Sequence, residues 1–203
     1  MNEGSLPQLL AFFNNIWRMV EIPSEWMEAV AIPIRKQGRN TNAPSSYRPI
    51  SLKSCHGKIM EIMVLRRLNY HLEAAEALLE CFSRFRMRRC TADSIGDLVS
   101  LLEDAKAKKH SAALILLHIK QVFDAMPHAP IMGALRRLGD TGRPLRYIQA
   151  FLSDRSVAVK VGKSTSSSRY LMRGAPQGTV ISPLLFLAGL STILAATRAG
   201  GTA

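Results

Sequence analysis

The stretch Gly174-Ala-Pro-Gln-Gly-Thr-Val-Ile-Ser-Pro-Leu-Leu-Phe186, running on as an apolar segment to Thr197, constrains the fold of this chain most. Its first part reads as a turn. Gly178 lets another group approach the backbone closely, since no side chain stands in the way. Gln177 beside it offers an amide that both donates and accepts hydrogen bonds. Ser182 followed by Pro183 is a natural helix start, because proline at the first helical position gives up an N–H that has no partner there. The following run to Thr197 carries Ser191 and Thr192 and falls short of the ~20 apolar residues needed to span a bilayer, so it predicts a buried helix and no membrane partner. A buried helix needs other layers around it.

Those layers are legible in outline. Leu6 to Val20 places apolar side chains at helical intervals, with Pro23 closing the helix, and Trp26 to Ile34 reads as a short apolar strand ending in Arg35 and Lys36. A polar loop follows from Gln37 to Ser46. Helices are expected over Lys58–Leu72, Thr91–Lys108, Ala129–Leu138, Pro144–Leu152 and Ser182–Ala196. In the second of these, Thr91 or Asp93 is the expected cap, and Ile95, Leu98, Val99, Leu101 and Leu102 are expected to face a core. The continuous apolar run Ala112–Leu117 has the pattern of a buried central strand, and the alternation of Val157, Val159 and Val161 predicts a half-buried one. Helices mixed with strands in this way define an α+β class, with helices packed on a sheet.

Charge narrows the function. Lys and Arg number 27 against 15 Asp and Glu, a formal charge of +12, on a chain whose 47% apolar content is that of a globular protein. Such an excess attracts polyanions, nucleic acid first. It is unevenly spread: no acidic residue occurs after Asp154, yet Arg155, Lys160, Lys163, Arg169, Arg173 and Arg198 do. Arg84, Arg86, Arg88 and Arg89 surround Phe85, which reads either as a solvated face or as a phosphate track. Cys55, Cys81 and Cys90 have no CxxC spacing and fit neither a disulfide framework nor a zinc site. With no secretory signal visible, the expected setting is reducing and intracellular, nuclear or cytoplasmic.

Several blocks together resemble the reverse transcriptases of non-LTR (LINE-type) retrotransposons. Ser46-Tyr-Arg-Pro-Ile-Ser-Leu52, then Ser54-Cys-His-Gly-Lys-Ile-Met-Glu61, is similar to that family's opening pattern "YRPISL…S…GK…E". Phe85-Arg-Met-Arg-Arg-Cys-Thr-Ala-Asp93 is similar to "GFRxxRSTxD", with Arg84 where glycine is usual. The block at 174–186 looks like "GxPQGSxLSPLLF", and Arg146 to Gly162 follows "YIxxFLxxRxxxVxVG". Leu116-Leu-His-Ile-Lys-Gln-Val-Phe-Asp-Ala-Met-Pro-His128 resembles "FLDxxxAFDxVxH". The likeness runs from about Trp26 to Phe186.

The resemblance implies a partial right-hand polymerase, fingers and palm, with a central antiparallel sheet packed by helices over residues 26–203 and an N-terminal helical extension over 1–25. It implies that Arg86 reaches the incoming triphosphate, a task suited to a planar guanidinium fork. Phe123 screens the sugar 2′ position, Asp124 is the pattern's second, non-ligating aspartate, and Gln177 and Gly178 sit beside template and nascent pair. The expected partners are RNA or DNA template–primer, bound weakly and without sequence preference.

The same comparison exposes defects. His118 stands where the family has its first metal-binding aspartate, among the catalytic groups. The family uses two divalent ions, Mg²⁺ by preference, which is a hard ion wanting oxygen ligands; a neutral imidazole is softer and brings no charge. No Asp-Asp pair occurs in the 203 residues. Val122, Met126 and Asp140 also depart from the pattern. The expectation is a polymerase fragment that binds no metal productively and does not polymerise. The alternatives are a non-catalytic basic nucleic-acid binder and an inert remnant.

Overall fold

The computed structural model describes residues 5–76, 78, 82–86, 88–116, 125–139, 142–175 and 177–199. Helix α1 (Ser5–Met19) leads through a short α2 (Ser24–Met27) into strand β1 (Glu28–Arg35), and a 3-10 turn at Pro44–Ser46 precedes β2 (Tyr47–Leu52). Helices α3 (Cys55–Ala74), α4 (Thr91–Ala107), α5 (His128–Arg137) and α6 (Arg143–Leu152) follow. The chain then returns to the sheet as β3 (Ser156–Val161), β4 (Ser164–Thr165) and β5 (Arg169–Tyr170), and ends in α7 (Ser182–Ala199). The α+β class holds.

The sheet has the order β2-β1-β3-β4, with β5 also on β3. It is mixed where an antiparallel sheet was expected. β1 pairs antiparallel with β2, but β1 and β3 run parallel, with Ala31 opposite Val159. A parallel pair needs a crossover, and the helices from α3 to α6 supply it. The central strands are therefore β1 and β3. The run Ala112–Leu117, expected at the centre, is irregular over its described residues 112–116, with Leu116 84% exposed. An apolar run becomes a strand only where a neighbouring ladder takes its hydrogen bonds, and none of the described strand pairings involves it.

The core lies among the helices. Met60, Val64, Leu68 and Leu72 fall at intervals of four on α3 and form one buried stripe. Leu145, Tyr147, Ile148, Phe151 and Leu152 give α6 its apolar face, and Pro144 starts that helix just after Gly142, whose φ is 79°. Ile131 and Leu135 of α5, and Leu184, Leu185 and Ala188 of α7, complete the same cluster, joined by Phe13 and Ile16 of α1. Trp17 of α1 packs against Tyr147, ring centroids 6.3 Å apart. Trp26, expected at the head of a strand, instead sits buried on α2, with Gly57 of α3 against its indole.

One expected helix forms without its expected burial. α4 is capped earlier than expected: Cys90 is its N-cap, and Asp93, at the third helical position, accepts the Cys90 N–H at 2.6 Å. Yet it carries no buried residue, and Ile95, Val99, Leu101 and Leu102 are all exposed. Periodicity and capping are enough to make the helix; only a packing partner would bury its stripe.

Leu135 is fully buried and Leu101 is 68% exposed. Leu135→Ala is expected to cost about 2–5 kcal/mol in urea denaturation, against roughly 0.5 kcal/mol or less for Leu101→Ala. Equal losses at the two sites would contradict this burial pattern.

Candidate nucleic-acid interface

The turn before α7 docks on the open edge of the sheet. Pro33 and Pro49 face each other across β1 and β2. Neither has an N–H, so this parity of the ladder belongs to pairs whose polar groups point away from the partner strand. Ser51, two residues on from Pro49, shares that parity. Its N–H is turned outward from the edge strand β2 and donates to the Gln177 carbonyl at 2.8 Å. Gly178 comes next, at φ 102°, where a Cβ would stand 3.2 Å from the Ser51 carbonyl oxygen. Both the backbone angle and the close approach call for glycine. The block therefore forms a turn on the sheet edge, and an approach to β2 accounts for its glycine.

Two further contacts hold this segment. Gly174 donates its N–H to the Met126 carbonyl at 2.8 Å and accepts from His128 Nε2 at 2.8 Å, which ties the turn to the start of α5. At the other end the Val180 N–H donates to Glu61 Oε2 of α3 at 2.7 Å. The hydroxyls of Thr179 and Ser182 also meet where α7 begins.

Glu61 is the centre of a buried charged group. Its other oxygen takes Lys53 Nζ at 3.0 Å, and the two side chains are only 4% and 3% exposed. Lys53 also lies over the Phe151 ring at 4.8 Å, and the Arg155 guanidinium lies on that ring at 3.9 Å. Arg155 donates to the backbone carbonyls of Phe151 and Trp26. Burial, then the positive charge of Arg155, push the Lys53 ammonium down to about 8 against the opposing pull of Glu61. Burial likewise lowers Arg155 to about 10, and it raises the Tyr147 phenol. Arg155 thus leaves the basic surface tract in which its sequence position placed it. Sequence alone treated Lys53, Glu61 and Arg155 as ordinary positions; the "GK…E" spacing was the one available sign of Glu61.

The turn closes one end of a groove of about 140 Å³ on one face of the sheet, lined by Ala31, Pro49, Ser51, Val157, Arg173 and Gln177 among others. That is well below the ~300 Å³ at which small-molecule pockets begin, and suits part of a polymer. A larger cleft of about 670 Å³ on the other face is lined by Glu25 and Glu28 as well as Lys53 and Lys160. Its carboxylates disfavour a polyanion, and Arg86, Gln177 and Gly178 are not among its lining residues.

Arg86 is not among the residues lining the groove. Its guanidinium makes a two-point contact with Glu73 at the end of α3, at 2.9 and 2.5 Å. Those hydrogen bonds hold the Glu73 carboxyl below its ordinary range. The fork is thus aligned for a planar anion and filled by one of the chain's own. Phe85, beside it, has φ 61°, and Arg84 rests over the Phe85 ring at 5.5 Å. His118, Phe123 and Asp124 lie outside the described residues. Among the described residues no three His, Cys, Asp or Glu side chains gather as metal ligands, and the imidazole at 118 does not match the oxygen donors a hard dication requires. No described helix is long and apolar enough to cross a membrane.

The sequence profile of "Reverse transcriptase (RNA-dependent DNA polymerase)" matches residues 34–200, and the chain belongs to that family, as a partial domain of the non-LTR retrotransposon type. It is 31% identical over 186 residues to the RNA-directed DNA polymerase from mobile element jockey of Drosophila melanogaster, covering 91% of this chain and 20% of that protein. Against the probable RNA-directed DNA polymerase from transposon BS of the same species it is 30% identical over 181 residues, 88% of this chain and 20% of the relative. A Pol polyprotein from type-1 retrotransposable element R2 of Popillia japonica is 27% identical, with 89% of this chain and 26% of that protein covered. The chain thus spans about a fifth of the first two relatives.

Lys53 gives a pH signature for the buried group. Folded, the ammonium releases its proton near pH 8; unfolded, it holds it to about 10.5. Between these values the unfolded chain binds more protons, so this group favours folding more as pH rises. Urea stability of the native chain relative to Lys53→Met is expected to increase from about pH 8 to about pH 9, before Arg155, lowered to about 10, loses most of its charge. A difference that is flat or falling there would contradict the burial of a charged Lys53.

Proposed function

We propose that this segment is a template–primer-contacting part of a non-LTR retrotransposon reverse transcriptase, and that the 203 residues by themselves bind nucleic acid without polymerising it. The observation that carries the reading is the Gln177–Gly178 turn, hydrogen-bonded to the sheet edge at the end of a groove that also carries Arg173. Gln177 then supplies its amide to a base or sugar, and Arg173 neutralises a phosphate. Arg86 is the group for an incoming triphosphate, which must displace the Glu73 carboxylate to reach the guanidinium. Phe123 takes the 2′-screening position. Residues 1–25 act as a helical extension of this unit. The free Cys55 and Cys90 thiols support an intracellular, reducing setting.

The family is generally dependent on divalent metal, and Mg²⁺ is the ion we infer for this lineage. His118 at the carboxylate position does not suit it, and the 203 residues contain no Asp-Asp pair to replace it. Primer extension on RNA or DNA templates with Mg²⁺ or Mn²⁺ is expected to stay at the no-enzyme level. His118→Asp alone is expected to leave it there, because the other carboxylates are still missing. Template-dependent incorporation by either form would refute the assignment of His118 and of inactivity.

Binding is expected to be weak, indifferent to sequence and strongly salt-dependent, since lysine and arginine contacts release counterions. Each phosphate contact adds roughly 0.7–0.9 to the slope of log K against log salt, depending on strandedness. Replacing Arg84, Arg86, Arg88 and Arg89 by alanine is expected to flatten that slope without changing sequence preference. An unchanged slope in a variant with native circular dichroism would favour the inert-remnant reading.

A further inference from the structure

The segment that presents Gln177 and Gly178 is held at both ends by contacts to separate elements. Its Gln177 carbonyl takes the Ser51 N–H of β2 at 2.8 Å, and its Val180 N–H reaches Glu61 of α3 at 2.7 Å. We infer that Glu61 is a positioning residue for nucleic-acid binding: its buried carboxylate fixes the far end of the Gln177–Gly178 turn, and Lys53 holds that carboxylate in place, with the Arg155 charge nearby. The inference rests on the reading that this turn faces template or primer.

The burial of the group needs a reason that packing alone does not give. Burying an ion pair seldom adds stability over apolar residues of similar volume. A carboxylate in this position does one thing a leucine could not. It accepts a backbone N–H that leaves the turn just before α7 begins, with its second oxygen neutralised by Lys53 at 3.0 Å. A part-buried N–H left without an acceptor is unfavourable, so losing Glu61 makes the turn reorganise toward other acceptors or water. The Ser51 bond and the Gly174 contacts then hold only the near side of the turn, and Gln177 no longer meets a bound strand at one fixed angle. The neutralising side chains come from different directions: Lys53 follows β2, and Arg155 precedes β3 and lies on Phe151 of α6. The turn is therefore registered against α3, α6 and the sheet together.

Removing Glu61 alone strands the Lys53 charge in the interior, a loss that can unfold the chain. The informative pair is Lys53→Met/Glu61→Gln and Lys53→Met/Glu61→Leu. Neither buries an unpaired charge at these two positions, and they differ in whether residue 61 can accept the Val180 N–H. Fluorescence anisotropy with a labelled RNA–DNA hybrid oligonucleotide gives affinity, and amide hydrogen exchange reports the turn. The leucine variant is expected to bind roughly five- to tenfold more weakly than the glutamine variant, the equivalent of one backbone hydrogen bond. Val180 exchange is expected to be faster in the leucine variant, with amides of α3 and α6 unchanged. The glutamine variant is expected to keep affinity near that of the native chain.

Gln177→Ala separates the two layers of the argument. If it leaves binding unchanged, the turn does not face nucleic acid and the functional reading falls. If it weakens binding while the two double variants bind equally, the positioning role of Glu61 is overturned. Should the leucine variant fail to fold, exchange in the native chain decides: slow exchange at Val180 relative to the exposed Gly178 supports the anchor, and equally fast exchange at both removes it.

Discussion

A buried carboxylate organises the junctions between the sheet, α3, α6 and the glycine turn. Glu61 has one oxygen on Lys53 and the other on the Val180 N–H, with Arg155 nearby across the Phe151 ring. In the low-dielectric interior an unpaired charge of this kind is costly, so each partner requires the others. Lys53 fixes how β2 leads into α3, Arg155 how α6 leads into β3, and Val180 how the glycine turn leads into α7. Shifting any one of these junctions would leave a buried charge or a buried N–H unsatisfied. The apolar cluster gives the helices their cohesion, but oily contacts tolerate sliding; the charged group is directional and sets the register.

The edge strand explains why the turn lies where it does. β2 is the outermost strand on its side, and the outward N–H and C=O groups of such a strand need partners. The opposed prolines, Pro33 and Pro49, set the parity that turns the Ser51 N–H outward, and the Gln177 carbonyl takes it. Glycine at 178 lets the backbone come within reach of the Ser51 carbonyl. In this way two prolines and a glycine, residues that usually interrupt structure, together build a docking point beside a basic groove.

Charge separates into two roles that composition does not distinguish. Arg155 and Lys53 are interior groups, whereas Lys160, Lys163, Arg169 and Arg173 remain on the surface. Arg86 stands between these roles: its fork is arranged for two-point anion binding and holds Glu73. Lys53 and Arg86 are each balanced by a carboxylate, so among these cations Arg155 alone takes a net positive charge into the interior.

The sequence by itself determined the local elements and the family. Helical periodicity, the Ser182-Pro183 start and the valine alternation of β3 all gave elements close to their expected bounds, because these are decided by neighbours a few residues away. The Pro-Gln-Gly block, the Arg86 segment and the "GK…E" spacing carried the polymerase likeness, because specific chemistry needs specific side chains at fixed separations. Tertiary structure alone decided what faces what. It left the stripe of α4 exposed and the run 112–116 unpaired, made β1 and β3 parallel neighbours, and brought Glu61 to Val180 across 119 positions. Burial, sheet pairing and long-range ion pairs depend on which surfaces meet in space. A local pattern of apolar and polar residues is the same whether or not its partner arrives.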